Sequence, residues 1–263
     1  MLRVLLSHPL TRNIGLDEPK TTDLRRRIIR NKPLLRQIHD EWYGLIQKAL
    51  PPREGAVLEV GAGAGFLREW IPDVFESDLL WSPGLRSVLD AQALPFSDNT
   101  LRAIVMTNVL HHFPRPALFF SEATRCVVPG GVVIMVEPWV TYWSRFVYGR
   151  LHHEPFDPKA ADWSFPEEGP LSGANSALPW IVFDRDRSKF EQPFPEWHIQ
   201  EILPMTPLVY LLSGGVSMRS LMPGWTFGFW RRLEELMEPR MDRLAMFALI
   251  VIVRPPSAPP TRI

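Results

Sequence analysis

From residue 21 onward, apolar side chains return every three or four positions, at Leu24, Ile28, Leu35, Ile38, Trp42, Leu45 and Ile46. That period predicts amphipathic helix over 21–50, with Thr22 as its N-cap and a break at Pro33, whose ring cannot continue a helix interior. The pattern changes at 56. Short apolar runs at 57–60, 74–77, 87–89, 103–107 and 132–137 alternate with turn-rich or helix-like pieces, which is how a parallel α/β sheet reads. Beyond Pro138 the alternation stops. Seven of the ten tryptophans lie at or after Trp139, and Pro- and Gly-rich breaks fill 155–179. Two later apolar runs, 198–203 and 244–253, predict two more strands, separated by a helix-like stretch at 225–237. The expected organisation is a helical cap over 1–50, an α/β core over 51–138 and an insertion or lid over 139–195. Strands and a helix that complete the sheet follow over 196–254, then a disordered Pro-rich tail over 255–263.

Composition narrows the function classes. The chain has 263 residues, 46% of them hydrophobic, enough for one sizeable core. Lys plus Arg equals Asp plus Glu at 29 each, so no global field draws the protein to nucleic acid, and charge-driven recognition must be local. A single cysteine, Cys126, excludes an intramolecular disulfide and a cysteine-built metal cluster. The opening MLRVLLSHPL is too short in apolar residues for a secretory signal, and the longest apolar run, 244–253, falls short of the roughly 18 to 20 residues that span a bilayer. A cytoplasmic location without a transmembrane segment is expected.

The most specific stretch is VLEVGAGAG at 57–65, a strand that runs into Gly61, Gly63 and Gly65. Glycines in such a turn let backbone N–H groups approach a ligand with no Cβ in the way. A dinucleotide fingerprint, G-x-G-x-x-G, would need glycine at 66, where Phe66 stands. With Glu59 two residues before the first glycine, the spacing resembles motif I, E/D-x-G-x-G-x-G, of the class I S-adenosylmethionine-dependent methyltransferases. The resemblance covers roughly 55–140 and gains from further motifs in order: ESDLLWSP, LDAQALPF, TNVLHHF and VVPGGVVIMVEP. LPFSDNT and LHHF look like the branch that holds ubiquinone and menaquinone biosynthesis methyltransferases.

The resemblance implies a Rossmann-like, doubly wound, mostly parallel seven-stranded sheet with an insertion after the fifth strand. It implies S-adenosylmethionine as cofactor, held by Glu59, Gly61, Ala62, Gly63, Gly65 and Asn108. Asp78 would accept hydrogen bonds from the ribose hydroxyls, and Asp90 and Ala91 would read the adenine. The branch likeness does not name the acceptor, because this fold hosts many substrates; the reaction expected here is methyl transfer to an oxygen or carbon of a small, apolar or amphipathic acceptor. Three features depart from the pattern. Eleven residues between Asp78 and Asp90 are too few for a crossover helix and its loops, the first helix stops before Pro72, and Arg102 stands where an acid usually opens the fourth strand. A scaffold that keeps the cofactor without turnover, and a nicotinamide-dependent oxidoreductase, are the competing readings.

Other residues carry weaker signals. His111 and His112 are adjacent, so their side chains are expected to diverge, and with no third ligand at a suitable spacing no metal is expected. Cys126 sits among apolar neighbours and reads as core. The stretch RRRIIRNKPLLR places Arg25, Arg26, Arg27, Arg30, Lys32 and Arg36 together, either as a solvated face or as a patch for an anionic acceptor or a membrane surface where a lipid-like acceptor resides. GPLSGANSALPW and LLSGGVSMRSLMPGW mix small and apolar residues, as an acceptor pocket needs. In VTYWSRFVYGRLHHEPFD, helical spacing puts Tyr142, Phe146, Gly149 and His153 on one face. His153, with His152 and Tyr142 beside it, is then the candidate base, oriented by Glu154 or Asp157; capping of a helix end by the histidines is the alternative.

Overall fold

Pro19 and Pro33 each stand in the first turn of a helix, where a missing N–H costs nothing and the fixed φ is already helical. They open α1 (Pro19–Asn31) and α2 (Pro33–Ala49), in a computed structural model that describes residues 18–151, 154–166 and 173–256 with His8, Gly15 and Gly169. The break at Pro33 is as expected. The N-cap is Glu18 rather than Thr22; Thr22 lies inside α1, buried, because Pro19 starts the helix earlier. On α2 the stripe Leu34, Leu35, Ile38, Trp42 and Ile46 is fully buried and fixes the helix against one face of the sheet.

The strands are β1 (Ala56–Val60), β2 (Phe75–Asp78), β3 (Ser87–Val88), β4 (Leu101–Thr107) and β5 (Val127–Pro138). α3 (Pro116–Cys126) precedes β5 and α4 (Tyr142–Leu151) follows it. The chain returns through β6 (His198–Met205), α5 (Phe227–Leu236) and β7 (Phe247–Val253). The sheet order is β3-β2-β1-β4-β5-β7-β6, parallel from β3 through β5 and antiparallel where β7 slots between β5 and β6. The expected doubly wound, seven-stranded architecture is therefore present. β5 and β7 read as nearly continuous apolar runs because both faces of these inner strands are covered.

Two apolar layers sandwich the sheet. One holds Phe119, Phe120, Phe183, Phe190 and Phe194; the other holds α1 and α2 with Phe66, Tyr148 and Phe247. Phe183 and Phe190 come from the helical stretch that runs from Leu178–Trp180 through a π turn, Ile181–Arg185, into Arg187–Glu191. This part of the 139–195 stretch is thus sheet packing rather than a lid. Between β2 and β3 the chain makes turns in place of a helix, as the short spacing requires. After the glycine turn the first helix shrinks to one 3₁₀ turn, Leu67–Glu69. Arg102 points toward the Arg53 carbonyl, and Cys126 is fully buried.

Candidate functional site

The turn after β1 is closed on three sides, and each glycine answers to one of them. At Gly61, φ is +70°, and an added Cβ would lie 2.3 Å from Val109 Cγ2. At Gly63 it would lie 2.5 Å from Asp78 Oδ2 and 2.8 Å from Thr22 Cγ2; at Gly65, 2.7 Å from Tyr43 Oη. Only glycine lets the loop after β4, the end of β2 and the first two helices converge on this turn. The Gly63 N–H donates to Asp78 Oδ2 (2.9 Å) and the Leu80 N–H to Oδ1 (3.0 Å). Burial raises the Asp78 carboxyl above its usual value, against the lowering effect of these bonds. Glu59 lies beneath the turn, and burial, then Glu76 and Asp78, push its carboxyl up to about 8.

From above, Arg26 of α1 donates to the carbonyls of Gly63 and Pro83 (2.9 Å to Pro83) and to Ser82 Oγ (3.2 Å). Arg30 and Arg36 pair with Glu69. Lys32, buried, donates to the carbonyls of Gly215 (2.6 Å) and Met218 (2.7 Å), and burial lowers its ammonium to about 8. Arg26 and Lys32 are thus clamps on backbone carbonyls, whereas Arg27 and Arg30 are exposed, as a solvated face has them. Arg25 differs. It lines the cavity and makes no hydrogen bond or ion pair among the described residues, while its charge reaches His112 and Tyr210.

That cavity, about 360 Å³, runs from Glu59, Gly61, Gly63 and Gly65 past Asp78, Asp90, Ala91 and Asn108. Asp90 Oδ1 accepts the Gln92 N–H at 2.8 Å. Asn108 holds φ at 58° while its N–H donates to the Val136 carbonyl at 2.8 Å. Ala62 is the exception among the expected cofactor residues: its N–H goes to the Ser77 carbonyl at 2.9 Å, so it supports the turn from behind and does not line the cavity.

The far end of the cavity is polar. Glu137, fully buried near the end of β5, accepts the N–H groups of Val109 and Leu110 at 2.7 Å each on Oε1, and its Oε2 takes His111 Nδ1 at 2.6 Å. His111 Nε2 lies 3.4 Å from Glu154 Oε2, and His112 Nε2 4.0 Å from Glu154 Oε1. His112 Nδ1 donates to the Gly173 carbonyl at 3.1 Å. The expected divergence of the two imidazoles is thus wrong. Both sit on one 3₁₀ turn, Leu110–His112, with ring centroids 4.3 Å apart, and both face Glu154. Burial alone would lower His111, but the Glu137 carboxylate and then Glu154 outweigh it and raise the imidazole to about 9. Burial, reinforced by His111, lowers His112 to about 4.

His152 and His153, the expected bases, lie outside the described residues. Tyr142 does not belong to the site. It is 80% exposed, as Phe146 is 47% exposed, because the opposite face of α4, with Val147, Tyr148 and Leu151, is the one that lines the cavity. Asp157 is held in its own turn by Asn175 and Lys159 and stays out of the cavity, whereas Glu154 enters it. Gly173 from one expected pocket segment and Gly214, Gly215 and Met218 from the other do line it. The Glu137–His111 contact had one readable sign, the acid of VEP near the end of the fifth strand.

Residues 58–135 match a family described as a methyltransferase domain. A Mycobacterium tuberculosis protein named an uncharacterized methyltransferase is 29% identical over 133 residues, which cover 44% of this chain and 52% of that protein. The chain thus spans about half the length of this relative. A namesake from Mycobacteroides abscessus is 27% identical over 189 residues, 61% of this chain and 72% of its own. Among solved structures, the complex between the Haloferax volcanii Trm112 methyltransferase activator and a methyltransferase aligns with a TM-score of 0.52 at 14% identity, over 93% of this chain and 100% of the other. That likeness is one of fold.

Proposed function

We propose that this chain, whose residues 58–135 belong to the class I S-adenosylmethionine-dependent methyltransferase domains, passes a methyl group from that cofactor to an oxygen or carbon of a small acceptor, apolar or amphipathic. One observation carries the reading: the glycine turn, Asp78 and Asp90 open into a single cavity that continues to a polar end with its own apolar wall.

The residues fit the cofactor. Each Asp78 oxygen takes one backbone N–H and keeps lone-pair capacity for a ribose hydroxyl. Asp90 and Ala91 stand beyond β3 for the adenine, and Glu59 lies where the turn would meet an ammonium. Phe66, buried against Tyr43 and beneath the Arg36 guanidinium, fills the position a dinucleotide turn needs for glycine. When bound, S-adenosylmethionine supplies an electrophilic methyl group. The chain supplies orientation and exclusion of water through Val147, Tyr148, Leu151 and Phe247 at the acceptor end.

Arg25 gives the acceptor end a local positive charge, suited to a carboxylate of the acceptor or of the cofactor itself. Arg25→Gln should weaken S-adenosylhomocysteine binding if the carboxylate is the cofactor's, and should raise the acceptor KM alone if it is the acceptor's. The activity is tested by incubating the full chain with S-adenosylmethionine labelled in its methyl group and a panel of amphipathic phenols, carboxylic acids and alcohols. Label should move to a member of the panel and be lost in Asp78→Ala. Cofactor binding with no transfer to any extract or panel member would instead favour a scaffold without turnover.

A further inference from the structure

We propose that His111, His112 and Glu154 form a binding site for one divalent transition-metal ion at the acceptor end of the cavity. Three independent features of the cluster converge on this. The first is distance: one ligand atom from each of the three residues lies within 4.8 Å of the other two. The 3.4 Å from His111 Nε2 to Glu154 Oε2 matches the edge of a tetrahedron with bonds of about 2.1 Å, and His112 Nε2, 4.0 Å from the other carboxylate oxygen, Oε1, completes the set once its ring or the carboxylate turns to bring them to one ion.

The second is orientation. Gly173 offers a carbonyl oxygen to His112 Nδ1 and Glu137 a carboxylate to His111 Nδ1, and neither partner can donate, so both Nδ1 atoms carry the hydrogen. An ion that displaces any proton on Nε2 then meets a lone pair from each ring, and both Nε2 atoms are on the side of Glu154. A buried carboxylate or a backbone carbonyl on the far nitrogen is the support that metal-binding histidines use. Glu137 is itself locked by the N–H groups of Val109 and Leu110, so the His111 ring has little freedom to turn away.

The third is access. All three residues line the cavity, which leaves a coordination position open toward the acceptor, as in catalytic rather than structural sites. Two imidazoles and one carboxylate suit zinc, cobalt or iron(II) better than magnesium or calcium, which prefer all-oxygen sites. An ion there would hold an acceptor oxygen and favour its deprotonated form. That role rests on the methyl-transfer reading, whereas binding of the ion does not.

The test is titration of the metal-stripped full chain with Co²⁺, read by visible absorption and by calorimetry, with Zn²⁺ as competitor. One Co²⁺ per chain should bind and be displaced by Zn²⁺. His112→Ala and Glu154→Gln should each weaken binding by more than about 100-fold, because loss of an outer supporting residue alone costs about 10–100-fold. S-adenosylhomocysteine titration of the same samples, with circular dichroism to establish that each variant is folded, separates the two readings. Normal S-adenosylhomocysteine binding with no stoichiometric Co²⁺ overturns the metal site alone. Co²⁺ binding without S-adenosylhomocysteine binding supports the site and removes the methyl-transfer reading. Folded variants that bind Co²⁺ as tightly as the parent also overturn the proposal.

Discussion

Gly63 and Asp78 touch through a single hydrogen bond, and what each substitution does follows from it. A methyl group at Gly63 would meet Asp78 Oδ2 and Thr22 Cγ2, so Gly63→Ala displaces the Asp78 carboxylate and the Thr22 side chain from their places at the turn. A stability loss of about 1–3 kcal/mol is expected from such overpacking, together with weaker cofactor binding, readable by urea unfolding and calorimetry. Asp78→Ala strands two backbone N–H groups and removes the ribose acceptor. Its cost of about 1.5–3 kcal/mol corresponds to tenfold to more than a hundredfold in S-adenosylmethionine affinity. Arg26→Ala should lower that affinity too, since the guanidinium holds the Gly63 carbonyl; equal affinity at low and high salt would separate this clamp from a general charge effect. Glu59 adds a pH signature. Its carboxyl, raised to about 8, holds a proton in the fold that the unfolded chain has already released, so its contribution to stability is complete below 4.5 and is lost as pH rises to about 8. Unfolding midpoints of the ligand-free protein should therefore fall over that interval more steeply than those of Glu59→Gln, and parallel curves would show that Glu59 is not the group responsible.

Among the elements, α2 carries a buried stripe, and Ile38→Ala at its centre should destabilise by about 2–5 kcal/mol, the cost of deleting a well-packed aliphatic side chain. Chemical denaturation with an unchanged m-value checks it. The same periodic reasoning served α2 and misled on α4, for a physical reason. On α2 one face is apolar and the other charged, so the period also names the buried side. On α4 both faces carry aromatics, Tyr142 and Phe146 on one, with Trp143 stacked on Phe146, and Tyr148 on the other, so the spacing groups residues without saying which group packs inward. Strands were legible where burial on both faces makes an unbroken apolar run, as in β4, β5 and β7. The two-residue β3 showed as the short apolar run at 87–89, while the helix-free link before it followed only from chain length between Asp78 and Asp90. Beyond the acid of VEP, the polar end of the cavity was not legible as a cluster, because His111, Glu137 and Glu154 come from three elements that only the folded sheet brings together.

At the scale of the whole molecule, equal numbers of acidic and basic residues leave recognition to local geometry, and much of that geometry is in one place. Among the described residues no helix is long and apolar enough to cross a membrane. The sheet order 3-2-1-4-5-7-6 puts the ends of β1, β2 and β4 on the same edge, so that a glycine turn, an acid and a histidine turn from distant parts of the sequence share a cavity wall. The resemblance of the motifs implied that arrangement; hydrophobic patterning alone implied only an α/β sheet. The most direct measurement is calorimetric titration of the folded full chain with S-adenosylmethionine, S-adenosylhomocysteine and NAD. One equivalent of each sulfur nucleotide should bind, NAD should not, and Asp78→Ala should weaken both by about tenfold or more. A folded wild-type chain that binds neither sulfur nucleotide, or binds them unchanged in Asp78→Ala, would contradict the assignment.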